Sequence, residues 1–169
     1  MPAVCQPAFW NALVRVSRVP AVSWRYRCWW SIHRPDWKVA CASQLPPPYV
    51  DDVAHYLKML GRYATVEVVE LREDDAVERR IPDRAFVVLL DAGGRQLTSE
   101  GFAEWLEERR HEGRPLCFVI GGAFGLELPT AHLRLSFGRM TLPHQLARVV
   151  LVEQLYRAHK ILAGEPYHH

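Results

Sequence analysis

The sequence has little net charge and no long apolar run, and both features exclude broad classes of protein. Its 169 residues carry a formal charge of only +2, so the chain cannot coat nucleic acid by bulk charge, although a local basic site remains open. No apolar run is long enough to span a bilayer. Hydrophobic residues make up 49% and charged residues 24% of the chain, which is typical of a globular protein. The length fits one domain with a full core.

Paired cysteines are also missing. Cys5, Cys28, Cys41 and Cys117 are scattered, with no Cys-x-x-Cys pair and no histidine pair at zinc spacing. Structural disulfides are rare in reducing compartments, so we expect four free thiols in the cytoplasm. The pattern predicts no metal site.

Acidic residues are absent from the first 35 positions, which contain five arginines and four tryptophans. Three interpretations of this segment compete. It has the composition of an organellar transit peptide, which would change the expected location from the cytoplasm to an organelle. It could also be an aromatic and basic arm that stacks on RNA. The third interpretation is an upstream extension that is not part of the working protein, for instance from a misplaced start codon.

The remaining sequence alternates predicted strands and helices. Continuous apolar runs are typical of parallel strands that are covered on both faces. Amphipathic spacing with capping residues predicts helices between the strands. This order predicts an α/β fold with a mainly parallel sheet and helices on both faces. The predicted strands are 37–42, 65–71, 85–90 and 116–120, the predicted helices are 49–62, 98–113, 126–135 and 144–163, and a charged connector at 72–84 and a turn at 91–94 join them.

Two glycine-bearing loops stand out in the last third of the chain. Gly121, Gly122 and Gly125 follow an apolar run, and the segment 136–144 leads into the long final helix. Glycine after a strand lets backbone approach a ligand without a Cβ in between, so the first loop predicts a ligand-binding floor. There is no Gly-Lys-Ser/Thr for a triphosphate, and no acidic residue about 20 positions on for a dinucleotide.

The ordered motifs are more specific than either loop alone. Leu89-Leu90-Asp91, Ile120-Gly121-Gly122-x-x-Gly125, Thr141-Leu142-Pro143-His144 and the ending Pro166-Tyr167-His168 together resemble the RlmH family of the SPOUT superfamily. The resemblance implies a C-terminal trefoil knot, S-adenosylmethionine as methyl donor and a homodimer. It also implies methylation of N3 of a pseudouridine in large-subunit ribosomal RNA, in the assembled ribosome. Family members usually start near Trp37, which favours residues 1–36 as an unmatched extension and 37–169 as the methyltransferase domain.

The resemblance assigns cofactor contacts to one strand end and the two loops. Adenine needs an apolar slot, which Leu90, Phe137, Met140 and Leu142 fit, while glycines keep the floor low. The pattern alone favours a plainer interpretation, in which Phe137, Met140 and Leu142 belong to the core. The expected cofactor-binding residues are Leu90, Gly121, Phe137, Gly138, Arg139, Met140, Thr141 and Leu142.

RNA contacts are expected at the start of the final helix. His144 and Arg148 are one helical turn apart, which places them on one face toward a phosphate. If the chain does not transfer methyl groups, the alternative is a knotted RNA-binding or ribosome-assembly protein. A nucleotide-binding α/β protein of another kind ranks third.

The catalytic end of the site is expected in the tail, with Arg157, Tyr167 and His168. N3 of pseudouridine must lose its proton before or during attack on the methyl group, so a base is needed, and histidine ordinarily titrates near neutrality. Tyr167 would stack on the base or hydrogen-bond its edge, and Arg157 would stabilise developing charge or hold a flanking phosphate. The pattern alone favours a simple pair between Arg157 and Glu153. The tail follows the final helix closely, so it could reach a partner's pocket.

Overall fold

The computed structural model describes residues 36–42, 44–71, 77–122 and 125–167. They form a parallel sheet of five strands in the order β2-β1-β4-β3-β5, which confirms the predicted sheet. Residues 1–35, and the interpretations placed on them, lie outside the described residues. The trefoil knot stays a prediction. The elements are β1 (Asp36–Cys41), α1 (Tyr49–Leu60), β2 (Thr65–Glu70), a 3-10 helix (Glu78–Arg80), β3 (Phe86–Gln96), α2 (Ser99–His111), β4 (Leu116–Ile120), β5 (Leu133–Ser136) and α3 (His144–Leu162).

The two faces of the sheet are covered differently. Val88 and Phe118 point to a core that all three α-helices share, and their neighbours Val87 and Val119 point to a second core on the opposite face. In the described residues, the second core is closed by the segment before the 3-10 helix and by a loop around Leu128. Within the described residues, α1, α2 and α3 all lie on one face of the sheet, and no α-helix of this part of the chain covers the second core.

The predicted helix at 126–135 is wrong, because Leu133–Ser136 forms strand β5. The predicted turn at 91–94 is also wrong, since β3 continues through it to Gln96 as a bulged strand in which Leu90 and Arg95 both pair with Leu135. Gly94 allows this, because a Cβ there would lie 2.7 Å from the carbonyl carbon of Arg134. The lengthened strand supplies the edge on which β5 forms.

Helix α3 lies in the middle of the helical layer, in contact with both α1 and α2. Leu151, Leu155 and Ala158 on its inner face are fully buried. This burial fixes α3 against the sheet and so fixes the direction of its first turn, which is next to the glycine loops.

A histidine is enclosed between two aromatic rings near the end of α3. The ring of His159 stacks on Trp37 with centroids 5.0 Å apart and on Tyr63 with centroids 5.2 Å apart. Only 1% of its surface is exposed. Burial, with a smaller contribution from the charge of Arg110, lowers the pKa of His159 well below its ordinary value. The folded protein therefore holds this imidazole neutral.

We expect His159 to make the protein less stable in acid. The unfolded chain binds a proton at this residue as the pH falls below histidine's ordinary pKa, and the folded chain does not, so stability falls by up to about 1.4 kcal/mol per pH unit from this group. His159→Phe keeps an aromatic ring in the stack and should make the free energy of unfolding depend less on pH. Urea unfolding of both proteins at several pH values between 5 and 7.5, set by histidine's ordinary titration range, measures it. Equal slopes would contradict the assignment.

Both described cysteines are free and buried. Burial raises the pKa of the Cys41 thiol and of the Cys117 thiol to about 11, so both stay protonated and unreactive at neutral pH. Cys5 and Cys28 lie outside the described residues. Within the part of the chain that is described, no helix has the length and apolarity to cross a membrane, and no cluster of three metal-ligating side chains occurs.

Candidate functional site at the carboxyl ends of the strands

A cavity of about 800 Å³ opens where β3 and β4 end, beside the first turn of α3. Parallel α/β sheets bind their ligands at this edge. The cavity contains every expected cofactor residue except Arg139, whose side chain is exposed outside the lining. His144, one of the expected RNA contacts, also lies on its wall. The expected residues that line it are Leu90, Gly121, Phe137, Gly138, Met140, Thr141 and Leu142.

The bulge in β3 places a carboxylate on the cavity wall. Asp91 Oδ1 accepts the backbone N–H of Gly93 at 2.9 Å, and Oδ2 lies 3.3 Å from Nη1 of Arg134. Bulges commonly redirect side chains beside active sites. Here the bulge turns Asp91 and Ala92 toward the cavity, and β5 supplies Arg134 opposite them.

Sequence reasoning missed Ser136, which joins the two sides of the cavity. Its hydroxyl accepts the N–H of Gly138 at 3.1 Å and lies 3.0 Å from the carbonyl oxygen of Ala92 and 2.8 Å from that of Gly138. The residue is buried. A serine two residues before a glycine is a recognised turn signal, and that signal was available in the sequence.

Gly121 is required for a reason other than the expected one. A Cβ on Gly121 would lie 2.7 Å from Cβ of Leu126 and 2.9 Å from its nitrogen. The conflict is therefore with the protein's own loop and not with ligand space. Gly138 has φ +149°, a backbone conformation that favours glycine, and the space around it is open. The expected conflict with a bound ligand stays a prediction for Gly138.

Arg148, an expected RNA contact, does not lie on the surface of the chain. Its side chain is fully buried, and Nη1 lies 2.6 Å from Glu70 Oε1 at the end of β2. The helical spacing that relates Arg148 to His144 also relates it to Leu151 and Leu155 on the inner face of α3. The guanidinium thus ties α3 to the sheet beneath the cavity.

Two of the predicted catalytic residues, Arg157 and Tyr167, form a cluster separate from the cavity. Arg157 Nη2 lies 2.6 Å from Glu153 Oε1, and the Arg157 guanidinium carbon lies 5.0 Å from the ring centroid of Tyr167. The ring of Tyr156 contacts Tyr167 edge-on at 4.8 Å, and the Tyr167 hydroxyl points to Glu153 at 3.5 Å. The pair between Arg157 and Glu153 is therefore present, and Tyr167 packs on it. His168 lies outside the described residues.

The cluster and the cavity lie at opposite ends of α3. Arg157 follows His144 by 13 positions, which corresponds to about 20 Å along a helix. One chain therefore does not bring Arg157 and Tyr167 to its own cavity. Burial, followed by the hydroxyl of Tyr56, raises the pKa of Tyr167, so the phenol stays protonated and can donate a hydrogen bond but not act as the base.

Comparison with known proteins decides the family. The family model described as "Predicted SPOUT methyltransferase" matches residues 36–168. The chain belongs to the SPOUT methyltransferases. Within this family it is 42% identical over 141 residues to "Ribosomal RNA large subunit methyltransferase H" of Carboxydothermus hydrogenoformans, covering 70% of this chain and 89% of that protein.

A second SPOUT relative carries the same name. The protein of Gemmatimonas aurantiaca is 46% identical over 120 residues, covering 69% of this chain and 78% of that protein. These relatives confirm the resemblance to the RlmH family. A methyltransferase structure from Legionella pneumophila with bound SAM aligns over 75% of this chain and 66% of that chain, at 11% identity and a TM-score of 0.43.

Proposed function

We propose that the chain is a methyltransferase that uses S-adenosylmethionine to methylate N3 of a pseudouridine in large-subunit ribosomal RNA. The observation that carries this proposal is the cavity at the ends of β3 and β4, which is lined by the residues that the RlmH resemblance assigns to the cofactor, with Arg139 as the exception. A substrate in the ribosome places the enzyme in the cytoplasm, or in an organelle if residues 1–35 direct it there.

The cavity fits the proposed cofactor in size and chemistry. About 800 Å³ lies within the usual range for small-molecule sites. Leu90, Phe137 and Leu142 offer apolar walls to the adenine, and Asp91 and Glu127 offer negative charge to the cationic methionine part. When bound, S-adenosylmethionine supplies an electrophilic methyl group on sulfur.

The chain's own residues would then bind the target base and remove its proton. Tyr167 is a protonated hydrogen-bond donor, and the ion pair with Glu153 raises the pKa of Arg157, which keeps it cationic. The Tyr167 hydroxyl and the Arg157 guanidinium together suit an N3 anion and a flanking phosphate. His168 is proposed as the base that takes the proton from N3.

A second copy is proposed to complete the site. Because the tail cluster lies about 20 Å along α3 from its own cavity, the tail can serve the cavity of a partner when two α3 helices pack antiparallel. Leu146, Val150, Glu153 and Arg157 are partly exposed and fall at helical spacing on one face. This stripe runs from the cavity end to the tail end, so it is the proposed dimer surface.

The test of the function is transfer of label from [methyl-³H]-S-adenosylmethionine to ribosomes and to naked large-subunit rRNA. Label in the rRNA is the expected result. Binding of rRNA without label would favour the alternative of an RNA-binding or ribosome-assembly protein. Cofactor binding without any affinity for rRNA would favour another substrate.

We expect Gly121→Val to weaken S-adenosylmethionine binding more than tenfold and to lower stability by about 1 to 3 kcal/mol, because the new side chain displaces the loop at Leu126 that forms the cavity floor. Calorimetric titration and urea unfolding measure the two effects. Gly113→Ala is the matched control: Gly113 has φ +67° and lies outside the cavity, so it should lose stability but keep cofactor affinity. Equal cofactor affinity in Gly121→Val and wild type would contradict the role of this loop.

A further inference from the structure

Because Arg148 is buried, RNA binding at the rim of the cavity requires a different positively charged side chain. We propose that Arg134 on β5 is a phosphate-binding residue at the mouth of the cavity, which takes an RNA phosphate next to the target nucleotide. The inference rests on the proposed function and assigns a substrate contact within that site.

Arg134 is placed for this role by the alternation of β5. Leu135 is buried in the helical core, and its neighbour Arg134 points the other way. The side chain lines the cavity yet remains 56% exposed. It therefore has one side toward the site and the other toward solution, from which a macromolecular substrate arrives.

The contact with Asp91 positions the guanidinium over the cavity and leaves its other N–H donors available. Nη1 lies 3.3 Å from Asp91 Oδ2, which is long for a charged hydrogen bond. A guanidinium has five N–H donors, and an exposed pair of this kind contributes little to stability. The remaining donors can bind a phosphate in the two-pronged geometry that arginine favours.

The loop beside the cavity supplies a second arginine. Arg139 is exposed there, while Asp91 and Glu127 on the cavity wall carry negative charge. A chain with a net charge of only +2 must concentrate its attraction for a polyanion locally. Exposure favours an RNA phosphate over the carboxylate of the cofactor as the ligand of Arg134, since a phosphate can approach the side chain from solution.

The test is equilibrium binding of large-subunit rRNA by Arg134→Gln, together with methyl transfer to ribosomes and calorimetry with S-adenosylmethionine. We expect the rRNA Kd to rise about tenfold. The plot of log affinity against log salt, from about 50 to 200 mM, should become shallower by about 1. Cofactor affinity and melting temperature should stay at wild-type values. Arg134→Lys keeps the charge and should restore the salt slope.

Arg79→Gln is the matched control, because it removes one exposed positive charge from the 3-10 helix, away from the cavity. It should bind rRNA as the wild type does. An Arg134→Gln protein that behaves like Arg79→Gln overturns the inference. A loss of cofactor affinity with an unchanged salt slope overturns it too, because Arg134 would then bind the cofactor's carboxylate. Binding is measured separately from methyl transfer, so a wild type that binds rRNA without methylating it overturns the proposed activity alone.

Discussion

Removal of Tyr167, His168 and His169 is expected to lower turnover at least about a hundredfold, the low end for loss of a general acid-base group. Cofactor affinity should stay nearly unchanged, since Tyr167 packs on Glu153, Arg157 and Tyr156 and not on the cavity wall. Single-turnover methyl transfer to ribosomes and calorimetry with S-adenosylmethionine measure the two quantities.

Mixing two impaired proteins tests whether the tail serves a partner. A dimer formed from the tail-deleted chain and the Gly121→Val chain contains one site with an intact cavity and an intact tail, so at limiting S-adenosylmethionine the mixture should be more active than either protein alone. No recovery in a mixture shown to contain mixed dimers would contradict the shared site. If the deletion leaves turnover unchanged, His144 on the cavity wall becomes the candidate base.

Val150→Glu is expected to dissociate the dimer and to lower turnover by about a hundredfold or more, because each cavity then lacks the second tail with its proposed acid-base group. Val150 lies partly exposed on the proposed dimer surface, whereas Val149 packs against the core and its replacement would also disturb folding. A buried, unpaired carboxylate opposes association. Analytical ultracentrifugation at micromolar concentration, with ribosome methylation measured in parallel, gives the result.

Val50→Glu provides the control for this substitution. Val50 is 44% exposed on α1, so the same new charge lies away from the proposed dimer surface. This protein should remain a dimer with wild-type turnover. A wild-type protein that sediments as a stable monomer would contradict both the dimer and the shared site.

The parallel sheet and most of the cavity could be predicted from the sequence, because continuous apolar runs and glycines after strands are local signals. Strand β5 could not. Its four residues, Leu133–Ser136, are too few to establish a period, and the strand depends on pairing with β3, 40 to 45 residues earlier in the chain, on both sides of the bulge.

The position of Arg148 also depends on contacts that are distant in sequence. Its partner Glu70 is 78 residues away, and no local sequence pattern predicts such a pair. The assignment to RNA used helical spacing, which identifies residues that share a face but does not identify the buried face. The apolar stripe through Leu151 and Leu155 identifies the buried face of α3, on which Arg148 also lies.

The tail was predicted as a functional element through the family resemblance, and the structure adds a constraint that sequence could not supply. Arg157 and Tyr167 form a cluster at the far end of α3 from the cavity of the same chain. The separation of about 20 Å along α3 is the reason for proposing that the tail serves the cavity of a partner chain.

The most direct test of the central claim is nucleoside mass spectrometry of large-subunit rRNA from ribosomes incubated with the protein and S-adenosylmethionine carrying a deuterated methyl group. The account predicts N3-methylpseudouridine with the deuterated methyl group, formed by the wild type and strongly reduced with the tail-deleted chain. Deuterated methyl on another nucleoside, or none on rRNA that lacks the modification beforehand, would contradict it.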